Sequence, residues 1–587
     1  MAAEQSYYGL GVSPGVAIGT AYLFKQETTA VPERTITAEQ VEPEYARFLE
    51  ALQASREQVM SVRKRVAGEV GEEQAKIFDF QIHIINDKHL AGEVKERLAA
   101  RLQNVEVVFT ESIERYIQLL SDIDDELFRE RRTDIRDVRD RILTNLAERR
   151  PRGIEELPFA SVVVAHDIAP SDAAMMEHGK VLAFATDLGG RTSHTAIMAA
   201  SLGIPAVVSL HDLSLKVQSG DSVIVDGHRG IVVVNPTEEM LQRYNRELFR
   251  IKEFEDELAE IREEPAVTTD GHRVVLSANI ELPDEIPNVR AHGAEGVGLY
   301  RTEFLYMSRE SLPSEDEQYE AYKAILEGLA PDPVIIRTFD LGGDKFVSHL
   351  DIPFELNPFL GWRAIRFCLE RVDLFKVQLR AILRASVHGN LKLMYPMISS
   401  VDEVVSANAI LDETKEELLR DNVPFNESFE IGAMIEVPSA AMTADIIAGE
   451  VDFFSIGTND LIQYTLAVER TNDKIAHLYK PCHPGVLRLV KMTIDAAHEH
   501  DIWVGMCGEM AADPAVAMLL VGMGIDELSV SAIAVPKIKK VIRSISYAEV
   551  VDFARDVIRY NRAERIREMA DERLRSVLPE LSEHGAS

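Results

Sequence analysis

The chain has 587 residues, of which 46% are hydrophobic and 27% charged, with a formal net charge of −34. That is an ordinary globular composition, long enough for about three or four domains, and so acidic a balance argues against nucleic acid and anionic membrane surfaces as partners. Three cysteines without paired spacing, no apolar run of bilayer-spanning length and no basic-then-apolar leader lead us to expect a cytoplasmic protein without membrane insertion.

Residues 7–24 are rich in glycine and β-formers and predict two short strands around Ser13-Pro-Gly15. Their glycines do not make a dinucleotide fingerprint, because the spacing is wrong and no helix opens after them. From about residue 36 to 148 apolar residues recur at helical intervals: Tyr45, Phe48, Leu49 and Leu52, then Phe109, Ile113, Tyr116, Ile117 and Leu120, then Ile135, Val138 and Ile142. Glycine and proline are scarce there, which predicts a bundle of about four helices.

Strand-like runs return after Pro151-Arg-Gly153, in a block that shares the texture of residues 7–24. Within it, Val181–Ala185 reads as a strand, Asp187-Leu-Gly-Gly-Arg-Thr-Ser-His194 as a glycine turn, and the residues after His194 as a short helix ending at Gly203-Ile-Pro205. A helix N-terminus has free N–H groups and partial positive charge, which welcome a phosphoryl group and keep a nearby imidazole nucleophilic. Thr192, Ser193 and Thr195 add hydroxyl donors. A capping histidine with no chemistry fits the same local pattern, and the second half of the chain decides between them.

Residues 237–263 predict one charged helix with Leu241, Tyr244, Leu248, Ile251, Phe254 and Leu258 on a stripe. From Ala266 onward eight strand candidates alternate with runs of helical length: Val274–Ile280, Gly296–Tyr300, Val334–Thr338, Leu391–Pro396, Gly432–Val437, Asp452–Gly457, Ile502–Met506 and Glu527–Ser531. Eight such units fit a (β/α)₈ barrel. The expected architecture is multidomain α/β. An α/β domain of residues 1–30 and 150–235 is interrupted by a helical insert of residues 31–149. A linker helix (236–264), the barrel (265–575) and a tail (576–587) follow.

Barrel active sites lie at the C-terminal strand ends. There the sequence places Arg301 and Glu303, Arg337 and Asp340, Glu436, Asn459 and Asp460, and Cys507 and Glu509. Glu436 and Asp460 come from adjacent strands, so their carboxylates can converge on one hard cation such as Mg²⁺. Arg301 and Arg337, with Arg470 as a third, offer planar forks for phosphate or carboxylate. Cys507 sits where a thiol can exchange a proton with carbon. Each residue alone also reads as a salt bridge, a cap or a packed thiol. Five strand ends together suit cleavage of a small phosphorylated carboxylic acid that leaves an enolate.

The motifs Gly189-Gly-Arg-Thr-Ser-His-Thr-Ala-Ile197, Gly298-Leu-Tyr-Arg-Thr-Glu-Phe304, Arg337-Thr-Phe-Asp-Leu-Gly-Gly-Asp-Lys345, Asn357-Pro-Phe-Leu-Gly-Trp-Arg363, Ile435-Glu-Val-Pro-Ser439, Gly457-Thr-Asn-Asp-Leu-Ile462 and Cys507-Gly-Glu-Met-Ala511 carry a resemblance over nearly the whole chain. The chain resembles the enzyme I family of the bacterial sugar phosphotransferase system, the phosphoenolpyruvate–protein phosphotransferases. The resemblance implies a swivelling phosphohistidine domain with His194 phosphorylated on Nε2. It implies phosphoenolpyruvate held by Arg301, Arg337, Asn459, Asp460 and Arg470, and Mg²⁺ held by Glu436 and Asp460. It implies protonation by Cys507 to release pyruvate, homodimers through the barrel, and a small HPr carrier docked on the helical insert. Asp79–Lys88 follows the family's docking pattern only loosely. A dikinase or synthase would need a nucleotide-binding domain, and a nitrogen-regulatory relative usually adds an N-terminal sensor domain; neither is expected here.

Overall fold

A computed structural model of the chain describes residues 4–24, 33–69, 75, 77–121, 126–147, 160–168, 172, 179–190, 193–307, 311–340, 355–470, 472 and 474–583. They form two compact units that divide between Arg250 and Ile251. The last residues of the tail, Thr192, and Leu341–Lys345 of the strand-three motif lie outside the described residues.

The first unit carries one eight-stranded sheet. Its strands are β1 (Gln5–Tyr8), β2 (Leu10–Ser13), β3 (Val16–Phe24), β4 (Ser161–Ala165), β5 (Val181–Thr186), β6 (Ala206–Val208), β7 (Ser222–Asp226) and β8 (Ile231–Val234). The order is β1-β8-β7-β3-β4-β5-β6-β2, so strands from both sides of the helical stretch share one sheet. Three strands form where two were expected before residue 25, because Gly9 separates β1, paired to β8, from β2, paired to β6. An added Cβ at Gly9 would meet the Val208 carbonyl oxygen at 2.3 Å.

Side chains alternate across β4. Val163 and Ala165 join the core that includes Phe48, Phe109 and Val138 of the helical stretch, whereas Val162 and Val164 join Leu210, Leu213 and Val223 on the other face. Buried on both faces, β4 reads as an unbroken apolar run. The helical stretch contains five described helices instead of about four: Val41–Glu69, Ile77–Ile85, Lys88–Arg101, Val105–Ser121 and Glu126–Leu146. Asp87 starts one by accepting from the His89 N–H at 2.8 Å, which breaks a run that periodicity alone would continue.

The helix Glu238–Glu260 contains the division between the units. Its Met240, Leu241, Tyr244 and Leu248 pack with Val16, Ile224 and Val233 of the sheet, and its Phe254 packs on the barrel core.

The second unit is a closed parallel barrel of β9 (Val275–Ile280), β10 (Val297–Tyr300), β11 (Pro333–Arg337), β12 (Asn390–Tyr395), β13 (Glu430–Ile435), β14 (Phe453–Ile456), β15 (Trp503–Met506) and β16 (Glu527–Ser531). Leu299, Ile335, Met394, Met434, Phe453 and Cys507 pack together, while Ile336, Leu393, Ile435 and Ile456 join the larger core shared with the helices. The first set shares the inward side of the strands, since side chains alternate with period two.

Candidate active site

The barrel's alternation carries on past the strand ends. Two residues beyond inward Leu299, Ile335 and Met434 come Arg301, Arg337 and Glu436, so these three continue the inward face at the C-terminal rim. On β14 and β15 the same step leads to Gly457 and Cys507. A Cβ at Gly457 would lie 2.7 Å from Glu436 Oε2 and 3.0 Å from its Cβ, so a side chain there would push that carboxylate aside.

Arg337 is 5% exposed and its Nη2 donates to Glu303 Oε1 at 2.6 Å, with Asp340 Oδ2 at 3.1 Å. Burial opposes its charge, but Glu303, Asp340 and Glu436 outweigh that and hold it firmly cationic. A second guanidinium, Arg363, is equally buried; its Nη2 donates to Asp340 Oδ1 at 2.8 Å and reaches Asp460 Oδ2 at 3.4 Å, while Nη1 donates to the Tyr464 hydroxyl at 3.2 Å. Glu436 is 2% exposed and its Oε1 accepts the Met397 N–H at 2.6 Å. Burial pushes its carboxyl well above the ordinary range, and the charges of Asp460 and Asp340 push the same way against Arg337 and Arg363. A buried carboxylate crowded by two others is the environment a cation relieves.

Cys507 is also buried, and its N–H donates to the Ile456 carbonyl at 3.2 Å. Burial raises its thiol, against the Ser455 hydroxyl and the charges of Arg337 and Arg301, so the group is a protonated thiol at neutral pH. Farther out, the Asn459 amide donates to Glu509 Oε1 at 3.1 Å and accepts the Glu509 N–H at 3.0 Å, and Arg470 Nη1 lies 3.5 Å from the same carboxylate. Arg301 Nη1 donates to Glu281 Oε1 at 2.6 Å and is about a third exposed. The rim therefore brings Arg301, Arg337, Glu436, Asp460 and Cys507 into one electrostatic neighbourhood, with Asn459 and Arg470 joined to it through Glu509.

Read alone, Glu303 suggests a salt bridge to Arg301, whereas Glu303 pairs with Arg337 and Arg301 with Glu281; Arg363 and the pairing roles of Asp340 and Glu509 are not foreseen from the sequence. Arg363 comes from no strand end, so alternation cannot flag it. Its one trace in the sequence is its place in the Asn357–Arg363 motif. Among the described residues no group of three or more His, Cys, Asp or Glu could hold a metal ion; Glu436 and Asp460, whose charges act on each other, are the two carboxylates expected from the sequence to hold one. Two carboxylates, with water and substrate oxygens completing the shell, suit Mg²⁺.

In the first unit the backbone puts His194 at the first position of the helix His194–Ser201, after N-cap Ser193, whose side chain accepts from the Ala196 N–H. The preceding turn is tightly held. Buried Asp187 accepts from the Ser214 N–H at 2.9 Å, the Ser214 hydroxyl at 2.5 Å and His166 Nδ1 at 3.0 Å. Gly189 adopts φ +118°, a conformation L side chains rarely adopt, and its carbonyl accepts from the Ser209 hydroxyl at 2.5 Å. Thr195 Oγ1 donates to the Ile168 carbonyl at 3.1 Å, so its hydroxyl ties the helix start to the segment that follows β4.

Three family profiles match the chain: "PEP-utilising enzyme, N-terminal" over residues 8–131, "PEP-utilising enzyme, mobile domain" over 157–230 and "PEP-utilising enzyme, PEP-binding domain" over 255–547. The chain is similar to the phosphoenolpyruvate-protein phosphotransferase of Bacillus sp. (strain S), 44% identical over 96% of this chain and 97% of that one. It is likewise similar to that of Haemophilus influenzae, 44% identical over 96% and 98%, and that of Bacillus subtilis, 42% identical over 96% and 98%. At that identity and coverage, the chain belongs to the phosphoenolpyruvate-protein phosphotransferase family.

Proposed function

We propose that the protein transfers the phosphoryl group of phosphoenolpyruvate to Nε2 of His194 and on to the histidine of a small HPr-type carrier, releasing pyruvate. The observation that carries this reading is the rim on which the buried Arg337, Glu436 and Cys507 meet the partly exposed carboxylate of Asp460. Arg301, Arg337 and Arg470 bind the phosphate and carboxylate of the substrate, and Asn459 and Asp460 help orient it. Glu436 and Asp460 would hold Mg²⁺, which when bound neutralises phosphate charge. The His194 lone pair attacks phosphorus in line, and the bond from phosphorus to the enol oxygen breaks with its electrons staying on oxygen. Cys507 gives its proton to C3 of the enolate and recovers one from solvent.

In this reading the His194 domain swivels, and the helix Glu238–Glu260, which contains the division between the units, is its linker. We assign carrier docking to the helical insert and self-association to the barrel. Met442 and Ile446, both more than half exposed on short barrel helices, are apolar side chains available to such a contact. The expected setting is the cytoplasm. Incubation with labelled phosphoenolpyruvate and Mg²⁺, without nucleotide, tests the core of the reading. Label is expected on wild type and none on His194→Ala, and a strict ATP requirement would overturn it.

A further inference from the structure

Behind the charged rim lies a neutral hydrogen-bond network centred on Gln378, a fully buried residue of the helix Val372–Ala385. Three partners fix its amide in one orientation. The oxygen accepts the Phe339 N–H at 3.0 Å, and the nitrogen donates to Thr302 Oγ1 at 3.2 Å and to the Tyr322 hydroxyl at 3.3 Å. A flipped amide would set N–H against the Phe339 N–H. Thr302 Oγ1 in turn donates to the Arg337 carbonyl at 3.0 Å. Tyr322 donates to Gln318 Oε1 at 3.2 Å, which also accepts from Tyr306 at 2.6 Å, and Gln318 Nε2 donates to the Pro313 carbonyl at 3.2 Å. Thr302, Tyr306, Gln318 and Tyr322 are at most 2% exposed, so no water substitutes for a lost partner without cost.

Two rim segments converge on that one amide. Thr302 stands between Arg301 and Glu303, and Phe339 stands between Arg337 and Asp340. Glu303 and Asp340 are the two carboxylates that grip the Arg337 guanidinium. We propose that Gln378 is a positioning residue for phosphoenolpyruvate: it clamps the Arg301–Glu303 turn to the Arg337–Asp340 segment and so sets the spacing of the two guanidinium groups. This rests on the reading that Arg301 and Arg337 hold the substrate. Loosening the clamp weakens substrate capture but leaves His194, Cys507 and the carboxylate pair in place, so the loss falls on KM rather than on the rate at saturation.

Gln378→Glu is nearly isosteric and has a built-in control. Its carboxylate still accepts from Phe339 but cannot donate to Thr302 Oγ1, which must either face it acceptor to acceptor or turn its O–H away from the Arg337 carbonyl. Burial raises the new carboxyl's pKa, so acid restores an O–H donor at that position. Thr302→Val cuts the same link without a titratable group. The full-length protein is assayed by isotope exchange between pyruvate and phosphoenolpyruvate with Mg²⁺, at about pH 8 and about pH 6. The expected result at the higher pH is a KM raised roughly tenfold in both variants, with saturated rates within about threefold of wild type. At the lower pH, KM relative to wild type recovers in Gln378→Glu and not in Thr302→Val. A Thr302→Val KM within about twofold of wild type overturns the inference. If Gln378→Glu fails to fold, Thr302→Val decides alone. No exchange in wild type would sink the functional reading instead.

Discussion

The two units present their reactive groups by opposite means. In the sheet unit the described residues of the turn before His194 are held by backbone groups, by the hydroxyls of Ser209 and Ser214, and by the buried carboxylate of Asp187 with His166 beside it. In the barrel unit the rim holds Glu303, Arg337, Asp340, Arg363 and Glu436, each 5% exposed or less. In the proposed reaction His194 travels between surfaces, and an exact backbone turn sets its place on the helix. A polyanionic substrate needs water replaced by fixed charge, which only buried, mutually paired ions supply at the moment of reaction. The ionic cost of that burial is borne by the barrel, whose parallel strands and helices hold the pairs in register.

Substitutions can break this contrast. The largest effect is expected from Glu436→Ala, which should cut phosphorylation by phosphoenolpyruvate at least about 10³-fold. Phosphoryl exchange between His194 and an already phosphorylated carrier should stay at the wild-type rate; loss of both reactions would mean the units are not separable in this way. Cys507→Ala should slow pyruvate formation about 10²–10³-fold with little change in substrate affinity, measured by rapid-quench kinetics. Unchanged turnover would remove the thiol from the proton step. Glu303→Gln should lower the unfolding free energy of the barrel by about 3 kcal/mol, because it strips a charge from a buried guanidinium and leaves Asp340 as its ionic partner. Denaturant midpoints of the two units, followed separately, would show the sheet unit unaffected.

The smallest effect concerns Asp270, which accepts from Thr268 Oγ1 at 2.6 Å and from the N–H groups of Tyr547 and Ala548 at 2.8 and 2.9 Å. These bonds, the Thr268 hydroxyl first, hold its carboxyl below the ordinary range. A depressed folded-state pKa means the stabilisation is present above the unfolded-state value, about 4, and fades as pH falls below it. Thermal scans from neutral to acid pH should show a shallower acid slope in Asp270→Asn than in wild type.

Much of this molecule is written locally. Strand-length apolar runs after Ala266, spaced by helical stretches, specify an eight-unit parallel barrel because period-two and period-3.6 patterns cannot exchange roles. The charged residue at each strand end then points to the rim. The turn of Gly189 and the N-cap Ser193 are equally local. What could not be read from local pattern is pairing across the chain. Gly9 splits the first strands only because its neighbours bond to β8 and β6. Arg363 reaches Asp340 and Asp460 from outside any strand, and Gln378 joins Thr302 to Phe339 from a helix whose sequence shows only an amphipathic face. Periodicity reports which face of an element is buried, since that depends on neighbours along the chain. Which buried polar group meets which depends on contacts dozens of residues apart, and only closure of the barrel decides them.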